Sequence, residues 1–271
     1  MSETGFAEVN GAKLYYEVAG EEHQGHPLVL IHGGLVDRRL WDDQFDVFAQ
    51  HYRVIRYDIR GFGNSDVPAG PYSNHEDLYG LLKSLGVEKA YVMGLSMGGG
   101  IAIDFTLAHP EMVAALIPVA AGVSGFKPSE ANIQKWAEIE KATERGDIAQ
   151  AVELENRMWT DGPNRSPEQV NPVVRQRVAE MNTHNFALSN PDAPSPQGLE
   201  PPAISWLSEI HVPTLIIVGD EDVQDILVIA DILEAGIPGA KKVVIPGTAH
   251  HLNMEKPEEF NRVVLSFLGG L

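Results

Sequence analysis

The feature that most narrows the fold of this chain is the recurrence of short runs rich in Val, Ile and Leu, bounded by turn residues, at 27–32, 52–58, 90–94, 113–121, 213–220 and 241–247. Runs of this length suit strands buried on both faces and are too short for buried helices. Helix-length stretches, 75–85 and 98–108 among them, separate most of the runs. The resulting βαβα order predicts a mostly parallel sheet with helices on both faces. Segments 5–9 and 13–19 are different, because they alternate in polarity about Asn10 and Gly11. Asn-Gly favours the tight turn of a β-hairpin, so an antiparallel pair is expected at one edge, for eight strands in all.

The alternation stops between residues 122 and 205, where Glu, Gln, Asn and Arg fall at helical spacing. Helices are expected at 129–145, 147–159 and 166–188, each opening near a Ser or Asp that can cap free N–H groups. The Pro-rich stretch 190–202 reads as an extended connector. The chain thus divides into a core formed by residues 1–121 and 206–271 and a helical insertion at 122–205. The formal net charge of −18 repels phosphate backbones and anionic membranes, so neither nucleic acid nor a membrane is an expected partner. With no cysteine, thiolate chemistry and Cys-ligated metals are excluded. The first residues lack the basic and apolar regions of a signal peptide, and a cytoplasmic protein is expected.

Four short motifs stand at predicted strand ends. Gly94-Leu95-Ser96-Met97-Gly98 lies between a strand and a helix, where a sharp turn would project the Ser96 hydroxyl from the carboxyl edge of the sheet. His32-Gly33-Gly34 closes an earlier strand, and the backbone N–H groups of Gly34 and Met97 could meet the oxyanion that acyl transfer creates. The acidic cluster Asp220-Glu221-Asp222 follows Gly219, and His250-His251 follows the last strand. A serine hydroxyl is a weak nucleophile, so it needs a histidine to take its proton and a carboxylate to orient that histidine. The order Ser, acid, His along the chain provides all three.

Together these motifs resemble the α/β-hydrolase superfamily. The Asp58-x-Arg60-Gly61-x-Gly63-x-Ser65 loop resembles a structural loop of the same family. The resemblance implies the α/β-hydrolase fold with a helical cap insertion. It selects Asp222, three residues after Gly219, as the orienting acid, and His250, five residues before Glu255-x-Pro257, as the base. It implies serine-ester chemistry similar to that of carboxylesterases and enol-lactonases, acting on a small ester or lactone; the sequence shows no phosphate-binding glycine loop, metal-ligand spacing or nucleotide fingerprint, so no cofactor or metal is expected. The family's dehalogenases and epoxide hydrolases carry aspartate at the elbow, against Ser96 here. C–C bond hydrolases and cofactor-free perhydrolases share the serine triad, and a ligand receptor built on a hydrolase fold is the reading from another class. Candidate substrate contacts are His32 and Leu35 beside the oxyanion loop and Trp136 and Trp159 in the insertion. The chain departs from the family at Val223-Gln224, where proline is common, and at the third consecutive glycine, Gly100. Self-association is compatible with the chain.

Overall fold

A computed structural model describes residues 2–190 and 192–271. The Asn10-Gly11 turn takes positive φ at both residues (47° and 78°), as a two-residue hairpin turn requires, and joins β1 (Glu3–Val9) to β2 (Ala12–Ala19). The sheet continues through β3 (Leu28–Ile31), β4 (Val54–Tyr57), β5 (Ala90–Leu95), β6 (Val113–Val119), β7 (Leu215–Gly219) and β8 (Lys241–Ile245). Its spatial order is β1-β2-β4-β3-β5-β6-β7-β8, parallel from β4 to β8 and antiparallel at both β1-β2 and β2-β4. Every residue of β3, β7 and all but one of β5 is buried, which explains why these strands read as unbroken apolar runs. β8 was expected to be buried too, but it is the edge strand, and Val244 is 45% exposed.

Helices α1 (Asp42–Phe48), α2 (Asn74–Ser84) and α3 (Met97–Ala108) connect the first strands, and α4 (Glu130–Glu144), α5 (Ile148–Glu155) and α6 (Pro172–Leu188) lie between β6 and β7. α7 (Gln224–Gly236) joins β7 to β8, and α8 (Leu252–Glu255) and α9 (Pro257–Leu268) follow β8. Ser129 and Asp147 cap α4 and α5 by accepting from Asn132 and Gln150 N–H. The third expected helix, 166–188, starts later. Residues 167–169 form a separate 3-10 turn, and α6 begins at Pro172, with Asn171 accepting from the Val173 N–H. Proline has no N–H and a fixed φ, so it suits the first helical position and cannot continue a helix from Ser166. The chain leaves α5 through a π-helical turn, Asn156–Asp161, instead of prolonging the α-helix to Trp159. Pro191, in the expected connector 190–202, lies outside the described residues.

β3 pairs with β4 on one side and β5 on the other, so the strand order reverses beside β3. In an open parallel sheet the crevice at such a reversal, outside the carboxyl ends of the strands, is where ligands collect. β3 delivers Gly33-Gly34 to that crevice and β5 delivers Ser96. The Asp58 loop is scaffold: its carboxylate accepts from the Arg38 and Asn64 backbone N–H groups and pairs with the Arg38 guanidinium.

Candidate functional site

Ser96 stands between β5 and α3 at φ 58° and ψ −116°, a conformation that side chains other than glycine rarely adopt. Surrounding bonds hold it there: its N–H donates to the Val119 carbonyl at 2.9 Å, and its carbonyl accepts from Gly100 and Gly122, each at 3.0 Å. The turn is so tight that a side chain at Gly94 would overlap the Gly98 carbonyl, and one at Gly98 would overlap the carbonyls of Ile31 and His32. Met97 is the first residue of α3, so its N–H has no partner within the helix.

The Gly33-Gly34 loop is fixed from below by His32. The Ile59 N–H donates to His32 Nε2 at 2.9 Å, which places the ring proton on Nδ1, and Nδ1 donates to the Gly33 carbonyl at 2.7 Å. Full burial holds this ring below the ordinary histidine pKa and keeps it neutral. His32 is therefore a brace for the loop and does not line the cavity beside it. Leu35, at φ 56°, is held from above, its carbonyl accepting from Asn182 Nδ2 at 2.8 Å and Asn185 Nδ2 at 3.2 Å.

Asp222 follows β7 and is buried, with Oδ1 accepting from the Val223 N–H at 2.7 Å. Oδ2 lies 2.8 Å from His250 Nδ1. Asp220, the neighbouring acid, is turned elsewhere and accepts from the Gly247 N–H at 2.5 Å. The histidine loop is anchored by Glu255, which accepts from the Ala249 N–H at 2.8 Å and forms a buried two-bond pair with Arg165 at 2.6 and 3.0 Å. Arg165 also donates to the carbonyls of Thr160, Asp161 and Gly247. One guanidinium thereby joins the π-helical turn to the histidine loop. The His250 N–H donates to the Trp159 carbonyl at 3.1 Å, and the Trp159 ring covers the imidazole at 4.4 Å between centroids.

A cavity of about 180 Å³ collects Gly33, Gly34, Leu35, Leu95, Ser96, Met97, Glu155, Trp159, Val178, Asn182, His250 and His251. Seven residues expected from sequence bear on it: Ser96, His250, Gly34, Met97, Leu35 and Trp159 line it, and Asp222 supports it through His250. Trp136 is not among the lining residues; it sits on α4 and is 39% exposed. Glu155, Asn182, His251 and Arg165 were not anticipated. Their signal was present for two: Glu155 shares a helical face with Ala151 and Val152, and Asn182 and Asn185 extend the apolar face Val174, Val178, Met181. A polar residue on an apolar stripe is buried, and a buried polar group needs a partner. Among the described residues, no three His, Cys, Asp or Glu side chains group as metal ligands would.

The profile of the alpha/beta hydrolase fold matches residues 26–257, and the chain belongs to that family of enzymes. It is 26% identical over 254 residues to carboxylesterase YbfK of Bacillus subtilis, covering 90% of this chain and 80% of that one. It is 29% identical over 255 residues to a 2-hydroxy-6-oxononadienedioate/2-hydroxy-6-oxononatrienedioate hydrolase of Paraburkholderia phymatum, covering 89% and 86%. Among solved structures, Est816, described as an N-acyl homoserine lactone degrading enzyme, is similar with a TM-score of 0.76 and 28% identity, covering 97% of this chain and all of that one.

Proposed function

We propose that this hydrolase cleaves small carboxylic esters or lactones through a Ser96-His250-Asp222 triad and an acyl-enzyme. The observation that carries the reading is the single cavity that Ser96, His250, Gly34 and Met97 line, with the Asp222 carboxylate on the far nitrogen of His250. Ser96 Oγ attacks the carbonyl carbon while His250 Nε2 takes its proton. Asp222 keeps the other proton on Nδ1 and stabilises the imidazolium. The Gly34 and Met97 N–H groups receive the oxyanion. His250 then protonates the departing alkoxide, and the acyl-Ser96 ester is hydrolysed by a water whose proton His250 accepts. Helices α4 to α6 act in this reading as a cap, with Trp159 shielding His250.

Similarity to C–C hydrolases favours a second reading, a diketone substrate on the same triad. The Paraburkholderia phymatum relative is named for dicarboxylate substrates, which call for a cation at the site. Neither arginine nor lysine is among the described residues that line the cavity, and Glu155 is. This lining supports a neutral substrate. The cavity is also smaller than the ~300–1,000 Å³ of pockets for drug-sized ligands, in keeping with a short acyl group. The test is turnover of p-nitrophenyl esters, simple lactones and a 2-hydroxy-6-oxodienoate by the wild type and Ser96→Ala. Ester or lactone turnover lost in the variant is expected; turnover of the dienoate alone would move the assignment to C–C hydrolysis.

A further inference from the structure

The part of the cavity that the proposed triad does not use is lined by three polar residues, Asn182, His251 and Glu155, and the first two have orientations fixed by their own partners. Asn182 donates Nδ2 to the Leu35 carbonyl, so its Oδ1 points the other way. That oxygen is buried and has no partner among the described residues, although Asn182 is only 3% exposed and lines the cavity. Exchanging the two amide atoms would set oxygen against the Leu35 oxygen, so the free atom is an acceptor.

His251 is fixed by a longer chain of bonds. Asn156 Nδ2 donates to the Arg175 carbonyl, leaving Asn156 Oδ1 to accept from the Thr160 hydroxyl at 2.9 Å. With its proton spent there, Thr160 Oγ1 can only accept from His251 Nδ1, 3.1 Å away. The Nδ1 proton of the neutral ring is thus committed, and Nε2 retains a lone pair. Burial, with His250 alongside, pushes the ring down to about 3, so it carries no second proton near neutrality. Glu155, the last residue of α5, adds a buried carboxyl that lies against the Trp159 indole and forms no ion pair among the described residues. The other walls are apolar: Leu35, Leu95, Met97, Trp159 and Val178.

Among the residues lining this one small cavity, Asn182 Oδ1 has no donor, His251 Nε2 keeps its lone pair, and the Glu155 carboxyl adds a third acceptor, so a ligand that donates is the one that matches them. We propose that Glu155, Asn182 and His251 form an acceptor subsite beside Ser96, selecting an ester or lactone that carries a hydroxyl or amide N–H on its acyl or alkoxy part. The inference rests on the ester reading above and narrows it. A bound donor satisfies Asn182 Oδ1, which is otherwise buried without a partner among the described residues, and an isostere lacking the donor leaves it so. Discrimination of this kind is larger than that achieved by apolar contact alone.

The experiment compares kcat/KM for matched substrates: methyl 3-hydroxybutyrate against methyl 3-methoxybutyrate, 2-hydroxyethyl acetate against 2-methoxyethyl acetate, and methyl N-acetylglycinate against its N-methyl analogue. For the wild type, at least one pair is expected to favour the donor by about tenfold or more. Glu155→Met and His251→Phe should each reduce that ratio severalfold, the ratio being taken within each protein so that a general loss of activity cancels. Equal rates within all three pairs in the wild type overturn the subsite without any variant being needed, and so does a ratio that neither substitution moves. Plain p-nitrophenyl acetate, run alongside, separates the two ideas. Its turnover with no donor preference refutes the subsite alone, whereas no turnover of any ester refutes the ester reading and the subsite with it.

Discussion

Glu155→Gln should stabilise the protein in a manner that depends on pH. Burial raises the Glu155 carboxyl to about 7, against 4.5 for an ordinary glutamate, with the Trp159 indole partly opposing the rise. A carboxyl raised in the fold is protonated more readily there than in the unfolded chain. Its contribution is therefore fully present below pH 4.5 and is lost as pH rises through 7. At about 1.4 kcal/mol per pH unit the loss reaches about 3 kcal/mol at pH 8, as a ceiling. Glutamine has nearly the same shape and never ionises. The variant should match the wild type within experimental error near pH 4.5 and exceed it by up to about 3 kcal/mol at pH 8, measured by urea denaturation at several pH values. His251 drives wild-type stability the other way, because its ring stays neutral in the fold down to about 3 while the unfolded chain takes up a proton below about 6.5. That contribution is common to both proteins and cancels in the difference. A difference that does not change between pH 4.5 and 8 would refute the burial argument.

Four further outcomes follow from the geometry. Asp222→Asn should cut kcat by about 10⁴-fold, as loss of the orienting carboxylate does in serine triads, whereas Asp220→Asn, whose carboxylate holds only the Gly247 N–H, should keep most activity; the reverse ranking in ester kinetics would move the acid. Arg165→Ala leaves the buried Glu255 carboxylate unpaired and should cost about 3 kcal/mol in urea denaturation, with kcat falling as the histidine loop loosens; unchanged stability and kcat would contradict its anchoring role. Gly98→Ala should give little folded protein by circular dichroism, because the new methyl meets the Ile31 and His32 carbonyls, while Gly100→Ala, whose methyl would sit 3.4 Å from the Gly122 oxygen, should fold. Given the 180 Å³ cavity, p-nitrophenyl acetate or butyrate should exceed the decanoate in kcat/KM by at least tenfold; a preference for the decanoate would mean that the cap opens to a larger space.

The strands were legible because a two-face-buried strand is a short apolar run, and the hairpin because Asn10-Gly11 permits a turn that few dipeptides do. The elbow was legible for a related reason: Gly94 and Gly98 are dictated by close backbone approach, which composition records directly. The exposed edge strand β8 has the same Val and Ile content as the central β7, and its edge position is marked in sequence only by Lys241-Lys242, where β7 has Leu215-Ile216. Tryptophan type alone could not separate Trp136 from Trp159 either. What differs is the π-helical turn that carries Trp159 over His250, and that turn is held by Arg165 and Glu255 across 90 residues of chain. Glu155 and Asn182 resembled solvated helix residues until their apolar neighbours on the same helical face were taken into account.

Ser96 should behave as an activated nucleophile. Incubation with a fluorophosphonate followed by intact-mass and peptide mass spectrometry tests it most directly. One adduct per chain is expected, located on Ser96 and absent from Ser96→Ala. An unlabelled protein that still hydrolyses esters, or an adduct on another residue that persists in Ser96→Ala, would contradict it.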